Sequence, residues 1–191
     1  MAGRRRLEGL LLAPGAGADA SHHTLTAIEA AVTPLPVCRM DFPYRKAGRR
    51  APDRAPILLD AMRAELADFC VAAGLRDSSR VVLGGRSMGG RMASMIAADG
   101  TPCRGLVLLS YPLHPPGKPE KLRVDHFADI GVPTLFISGE RDPFGSPDEF
   151  AEHVGRIAGP VTQVWIPGGH DPRADATICA TVVDWLAALG R

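Results

Sequence analysis

Cysteine pairs, an excess of charge of one sign and long apolar runs are all missing from this sequence. The four cysteines among 191 residues have no CxxC spacing and predict neither a zinc site nor a redox motif: Cys38, Cys70, Cys103 and Cys179. The formal net charge of +1 gives no basic field of the kind that nucleic-acid binding requires. We therefore expect no metal, no cofactor and no nucleic-acid partner.

Membrane and export signals are missing as well. No apolar stretch approaches the roughly 18–20 residues that span a bilayer. The run from Leu10 to Ala13 follows Glu8 and is shorter than the apolar core of about 7–15 residues that a signal peptide needs. Arginines 4–6 are interpreted as a solvated tail. These absences predict a cytoplasmic protein that does not bind membranes.

Short apolar runs alternate along the chain with longer segments of helical spacing. Helical patterns cover residues 55–74, 87–100, 146–159 and 175–190. Strands alternating with helices predict a three-layer α/β/α sandwich around a mainly parallel sheet of about six strands, in a single domain over residues 1–191. The predicted strands are Gly9–Ala13, Val37–Asp41, Arg80–Leu83, Gly105–Leu109, Thr134–Ser138 and Thr162–Ile166.

The stretch VVLGGRSMGG combines the end of an apolar strand with a serine between glycines. The G-x-S-x-G sequence from Gly85 to Gly89 places Ser87 at a predicted strand-to-helix turn, which is the context of a nucleophile elbow. Glycines there allow close approach of the neighbouring chain, and the helix N-terminus would direct N–H groups at the serine. A glycine-rich turn with a capping serine is the structural alternative.

A serine nucleophile needs a base and an orienting acid, which follow an elbow serine in the order acid, then histidine. Asp142 lies just past the fifth predicted strand, with Glu140 and Asp148 as competitors. His170 lies in a glycine-flanked loop after the sixth strand. That position favours it over five other histidines: His22, His23, His114, His126 and His153.

The negative oxygen that develops during acyl transfer needs N–H donors. We predict that one donor is the backbone N–H of Met88, directly after the nucleophile. The loop after the first strand, APGAGAD, predicts the other, with Ala16 as the first choice and Gly15 as the second. A plain glycine turn into a helix is the alternative for this loop.

Taken together, these residues resemble the alpha/beta-hydrolase superfamily over essentially the whole chain. The resemblance is greatest to small, lidless proteins related to dienelactone hydrolase, a branch that includes testis-expressed proteins and a subunit of the animal non-specific lethal complex. The stretches that carry it are GGRSMGGRMAS, FPYRKAGRRAPDRAP, YPLHPPGKPEKLR and GERDPFG.

The resemblance implies Ser87 as nucleophile, Asp142 as acid and His170 as base. The elbow serine replaces the cysteine of dienelactone hydrolases, and Pro14 stands where related proteins often have histidine. The resemblance also implies a sheet that lacks the antiparallel first pair of the full eight-stranded fold. Residues 110–134 are too few for a helical lid, so we expect an open site.

The residues and the resemblance predict a serine hydrolase for a small carboxylic ester or thioester, working through an acyl-enzyme. A catalytically silent interaction module is the alternative, because fold does not fix function. Perhydrolase or haloperoxidase chemistry would use the same three residues and stays open. So do the acyl-chain length, the leaving group and the choice between monomer and homodimer.

Two basic loops at the carboxyl edge of the predicted sheet suggest a substrate that carries an anionic group. Their cations, with the arginine beside the nucleophile, are Arg45, Lys46, Arg49, Arg50, His114, Lys118, Lys121, Arg123 and Arg86. We predict that Tyr44 and Tyr111 wall the pocket and that Arg86 and His114 bind the substrate. The alternative is that these charges are solvated or pair with Asp41, Asp53 and Glu120.

Overall fold

All six predicted strands are present in the computed structural model, which describes residues 7–190. Arginines 4–6, interpreted above as a tail, lie outside this range. The second strand ends two residues earlier than predicted, and the third strand ends three residues later than predicted. The bounds are β1 Gly9–Ala13, β2 Val37–Arg39, β3 Val81–Arg86, β4 Gly105–Leu109, β5 Thr134–Gly139 and β6 Val161–Ile166.

The helices of the described range are α1 His23–Ala31, α2 Pro43–Lys46, α3 Ala55–Ala72, α4 Met88–Ala98, α5 Pro147–His153 and α6 Asp175–Leu189. The sequence patterns did not predict α1 or α2. α1 has nine residues and α2 a single turn of four, so neither has enough apolar spacing to stand out. α5 is shorter than predicted, because a 3-10 turn follows it over Val154–Arg156.

The strands form one fully parallel sheet in the order β2-β1-β3-β4-β5-β6. Side chains alternate across it and bury both faces. In β1, Leu11 and Ala13 pack on the face covered by α3 and α4, whereas Leu10 and Leu12 face α1 and α6. These contacts confirm the predicted three-layer α/β/α sandwich.

The direction of sheet growth reverses between β2 and β3, which opens a crevice beyond the carboxyl ends of β1 and β3. Ala13 pairs in register with Gly85, so the loops that follow β1 and β3 begin side by side. β5 and β6 also end together, with Gly139 opposite Ile166. The topology thus brings four loops to one edge of the sheet.

The long connection between β4 and β5 has little regular secondary structure. Within residues 110–133 the structure has a single 3-10 turn, Phe127–Asp129, and no α-helix. This connection therefore contributes no helical lid. Across residues 7–190, the structure contains no helix with the length and apolar character that crossing a bilayer demands.

Candidate active site

Ser87 occupies the sharp turn between β3 and α4. Its backbone φ of 51° and ψ of −115° lie outside the regions that residues with side chains normally adopt. The Ser87 N–H donates to the carbonyl oxygen of Leu109 at 2.8 Å, which ties the turn to the end of β4. Such strain persists only where the surroundings enforce it, and it raises the hydroxyl above the sheet edge.

Gly85 and Gly89 permit this turn because it lies directly against the end of β1. A Cβ on Gly85 would come within 2.3 Å of the Ala13 carbonyl oxygen, and one on Gly89 within 2.2 Å of the same atom. Gly85 also has a φ of +154°, which favours glycine. Since the obstacle is backbone, no side-chain rotation relieves it. The two glycines are therefore required by packing.

His170 bridges the serine and a buried carboxylate. Its Nε2 lies 2.9 Å from Ser87 Oγ, and its Nδ1 lies 2.8 Å from Asp142 Oδ2 and 3.0 Å from Oδ1. The Asp142 side chain is 1% exposed, and that of His170 is 20% exposed. In this arrangement Nε2 can accept the hydroxyl proton while Nδ1–H stays bound to the carboxylate.

Asp142 is fixed by its own loop. The backbone N–H of Phe144 donates to Asp142 Oδ1 at 2.9 Å, which holds the carboxylate in place. Glu140 and Asp148, the competing acids, are exposed and take no part in the hydrogen bonds of His170. Of the three carboxylates that the sequence left open, the structure brings Asp142 to the histidine.

Arg86 and Phe144 hold the His170 loop. Arg86 Nη2 donates to the carbonyl oxygen of His170 at 2.7 Å and pairs with Asp171 Oδ1 at 3.2 Å. Burial lowers the pKa of Arg86, although the Asp171 carboxylate opposes this shift. The Phe144 ring stacks on the imidazole with centroids 4.0 Å apart. Sequence reasoning missed Phe144, whose only signal was its place two residues after the acid.

Some backbone N–H groups of residues that line the cleft with Ser87 have no acceptor among the described residues. Within residues 7–190, the N–H groups of Met88 and Ala16 donate to no other group, and both residues line the cleft at Ser87. Gly15 packs on the elbow, where an added Cβ would lie 3.5 Å from Ser87 Cβ. The Tyr44 hydroxyl donates to the Ala16 carbonyl oxygen at 2.8 Å and so steadies this loop. These amides are available to a developing negative charge.

A cleft of about 470 Å³ opens beside Ser87. Its apolar wall includes Leu58, Met92, Pro112 and Phe144. The prediction that Tyr44 and Tyr111 wall the pocket and that His114 binds substrate is wrong, because all three are buried outside the lining. The Tyr111 hydroxyl donates to the Arg123 carbonyl oxygen at 2.8 Å, and His114 Nε2 lies 3.0 Å from Glu149. Aromatic rings turn inward because they bury a large apolar area.

Most cations of the two basic loops are neutralised or lie outside the cleft. Their ion pairs are Arg45–Asp19 at 3.3 Å, Lys46–Glu65 at 2.9 Å and Arg49–Asp53 at 2.8 Å. Arg50, Lys118 and Lys121 are exposed and do not line the cleft. The lining instead contains Arg86, Arg123 and Arg91. Sequence reasoning missed Arg91, which lies four residues after Ser87.

His22, His23 and Asp171 form the one cluster within residues 7–190 whose ligand atoms could share a metal ion. Asp171 Oδ1 lies 3.4 Å from His22 Nε2 and 3.6 Å from His23 Nε2, but it also pairs with Arg86. His22 Nδ1 accepts the N–H of Thr24, which leaves its proton on Nε2. An ion would have to displace both the guanidinium and that proton. These residues fit an anchor for the His170 loop better than a metal centre.

Comparison with known proteins gives a family match over most of the chain. A model described as an alpha/beta hydrolase domain matches residues 6–179. Several solved structures share the fold at low identity. A ferulic-acid complex of Est1E from Butyrivibrio proteoclasticus has a TM-score of 0.72 at 13% identity, covering 98% of this chain and 91% of that one.

Two further structures extend the range of similar proteins. The monoacylglycerol lipase of Paleococcus ferrophilus has a TM-score of 0.72 at 13% identity, covering 95% of this chain and 94% of its own. The RedJ thioesterase of Streptomyces coelicolor has a TM-score of 0.64 at 18% identity, covering 97% of this chain and 85% of that one. At these identities the likeness is one of fold.

Proposed function

The chain belongs to the alpha/beta hydrolase domain family, and from that premise we propose that it is a serine hydrolase for a small carboxylic ester or thioester. The observation that carries the proposal is the continuous hydrogen-bonded line from Ser87 Oγ through His170 to the buried Asp142 carboxylate. Two of the structural neighbours are named as a monoacylglycerol lipase and a thioesterase. Their names support an ester or a thioester as the substrate class.

Catalysis begins when Ser87 Oγ attacks the acyl carbonyl carbon. His170 Nε2 takes the hydroxyl proton and then delivers it to the leaving oxygen or sulfur. Asp142 keeps the proton of the imidazole on Nδ1 and stabilises the imidazolium that forms. Water, activated by the same histidine, then cleaves the acyl-enzyme and regenerates Ser87.

The carbonyl oxygen becomes negative in each tetrahedral intermediate. The N–H groups of Met88 and Ala16 are the donors we assign to it, with Gly15 as the second choice in the loop. They are fixed before the substrate arrives, so no reorganisation is needed when the charge develops. Met88 also begins α4, whose positive dipole end adds to this stabilisation.

Labelling with a fluorophosphonate probe tests the nucleophile directly. We expect stoichiometric labelling of the folded protein, loss of the label in Ser87→Ala, and much slower labelling in His170→Ala. Ser79→Ala is the matched control, because Ser79 is exposed and does not line the cleft. A folded wild-type protein that takes up no label would instead support the catalytically silent interaction module.

We also propose a place in the dienelactone-hydrolase-related branch and a reducing, cytoplasmic compartment. The lidless connection between β4 and β5 supports the first. Four free cysteines support the second. Burial raises the pKa of Cys38 to about 11 and that of Cys103 to about 12, so these thiols behave as small apolar side chains.

A further inference from the structure

Two arginines enter the cleft without a carboxylate partner. Arg91 and Arg123 both line it, and neither forms an ion pair within residues 7–190. A guanidinium on a protein surface usually pairs with a carboxylate or is hydrated by bulk water. Two of them lining one cleft without a carboxylate partner leave a positive charge there that a bound anion would neutralise.

Arg91 is placed by the same helix that places the nucleophile. It lies four residues after Ser87, and its N–H donates to the Ser87 carbonyl oxygen at 3.0 Å. Arg91 Nε is buried and has no hydrogen-bond partner among the described residues. Arg91 thus lines the same cleft as Ser87 and has an unused donor.

Arg123 comes from the loop after β4, and its backbone is held on both sides. Its N–H donates to the Leu113 carbonyl oxygen at 2.7 Å, and its own carbonyl oxygen accepts from the Tyr111 hydroxyl at 2.8 Å. Burial, followed by the like charge of Arg91, lowers the pKa of Arg123. Both arginines line the same cleft, so their like charges add there. A bound oxyanion would neutralise part of that charge.

The remaining charged groups of the cleft are already neutralised. Asp53 receives two hydrogen bonds from Arg49, at 2.8 and 3.0 Å, and Arg86 pairs with Asp171. Asp142 is bound to His170. No carboxylate of the lining is therefore left to compete for Arg91 and Arg123. The uncompensated charge of the cleft is positive.

We propose that Arg91 and Arg123 form a subsite for an oxyanion group of the substrate, a carboxylate or a phosphate, a few bonds from the scissile carbonyl. The proposal rests on the proposed hydrolase function and names its substrate class. Arginine suits this role because its fork of N–H donors matches carboxylate and phosphate oxygens. The cleft then selects small anionic esters over neutral ones of the same shape.

Matched ester pairs test the subsite. The first pair is mono-para-nitrophenyl adipate and its methyl ester, which differ in whether the acyl part carries a negative charge. The second pair is para-acetoxybenzoate and its methyl ester, which differ in whether the alcohol part carries it. We expect kcat/KM to be about tenfold to a hundredfold higher for the anionic member of at least one pair at low salt. The preference should shrink at high salt, because ions screen the attraction.

Arg91→Met and Arg123→Met should each remove most of that preference, mainly by raising KM for the anionic member of the pair. Arg76→Met is the matched control, since Arg76 is 97% exposed and lies outside the cleft. Equal kcat/KM within both pairs, with normal fluorophosphonate labelling of Ser87, would overturn the subsite and leave the hydrolase intact.

Titration with adipate or inorganic phosphate gives a readout that does not depend on turnover. We expect one or both anions to bind the wild-type protein and to slow its labelling at Ser87, and to bind Arg91→Met and Arg123→Met at least about tenfold more weakly. Comparison of the two anions distinguishes a carboxylate from a phosphate subsite. If Ser87 takes no label, the hydrolase proposal fails, and this titration alone decides the subsite. Binding that is equal in wild type and both variants would refute it.

Discussion

At the residue scale, single contacts set the geometry between three separate loops. Ser87, Asp142 and His170 follow β3, β5 and β6, so no local sequence preference fixes the distances between them. His170 depends on Asp142 on one side and on Arg86 on the other. Each of these supporting contacts can be removed by a substitution that leaves Ser87 unchanged.

Asp142→Asn should lower kcat by a factor on the order of 10⁴, because an amide cannot hold the proton on His170 Nδ1. The measurement is steady-state hydrolysis of an activated ester, with thermal unfolding to confirm the fold. Glu140→Gln and Asp148→Asn are the controls and should keep nearly full activity. A silent Asp142→Asn beside an inactive control would reassign the acid.

Arg86→Met should lower kcat about tenfold to a hundredfold, with little change in KM. The variant loses the 2.7 Å hydrogen bond to the His170 carbonyl oxygen, and a small displacement of a catalytic group is costly. Fluorophosphonate labelling should slow in the same proportion, and Arg86→Lys should recover part of the loss. Arg141→Met, at an exposed position of the neighbouring loop, is the control. A change confined to KM would make Arg86 a substrate-binding residue instead.

At the scale of elements, the contact of β1 with the start of α4 decides whether the elbow can form. Gly89 stands where the first turn of α4 passes the Ala13 carbonyl oxygen. The parallel pairing of β1 with β3 brings these segments together. Neither β1 nor the start of α4 can move away without disrupting that pairing. The glycine is thus a requirement of packing between two elements.

Gly89→Ala should lower the free energy of unfolding by at least about 2 kcal/mol and also reduce activity. The added methyl would meet backbone at 2.2 Å, so α4 must move and carry Ser87 with it. Chemical denaturation and ester hydrolysis are the two measurements. Gly155→Ala, where an added Cβ meets nothing within 4 Å, should change stability by no more than about 0.5 kcal/mol. Similar values for the two variants would contradict this reading.

At the scale of the whole molecule, a partly buried histidine links folding to pH. Burial, and then the charge of Arg91, lower the pKa of His126 to about 4. His126 Nε2 lies 2.8 Å from Ser94 Oγ in the packed layer between α4 and the loop after β4. Between about pH 6.5 and pH 4 the unfolded chain binds a proton here that the folded chain does not. Stability must therefore fall as the pH drops through this window.

The wild-type protein should lose on the order of 1 kcal/mol of stability through His126 between about pH 7 and pH 5, allowing for the part of the ring that stays in water. Tm measured at both pH values in wild type and His126→Gln tests this. The decrease should be smaller in the variant, which cannot take up the proton. Parallel pH curves for the two proteins would show that His126 does not contribute.

Much of the molecule was determined by the sequence alone. Buried parallel strands are continuous apolar runs, so β1 and β4 were predicted at their observed bounds. The parallel sheet, its α/β/α layers and the elbow turn follow from local patterns that a linear sequence contains. The residues at Ser87, Asp142 and His170 could be selected because each follows a recognisable strand, although their roles remain proposals.

Only the tertiary structure decided which polar groups are bound and which stay free, because their partners are far apart in the chain. Arg86 donates a hydrogen bond to a carbonyl oxygen 84 residues away, and Tyr44 donates one to a carbonyl oxygen 28 residues away. Arg45 binds a carboxylate 26 residues away. No local pattern records such pairings. The tyrosines predicted in the pocket wall are therefore buried supports. That Arg91 and Arg123 line the cleft without an ion pair within residues 7–190 likewise depends on where carboxylates that are distant in the sequence lie.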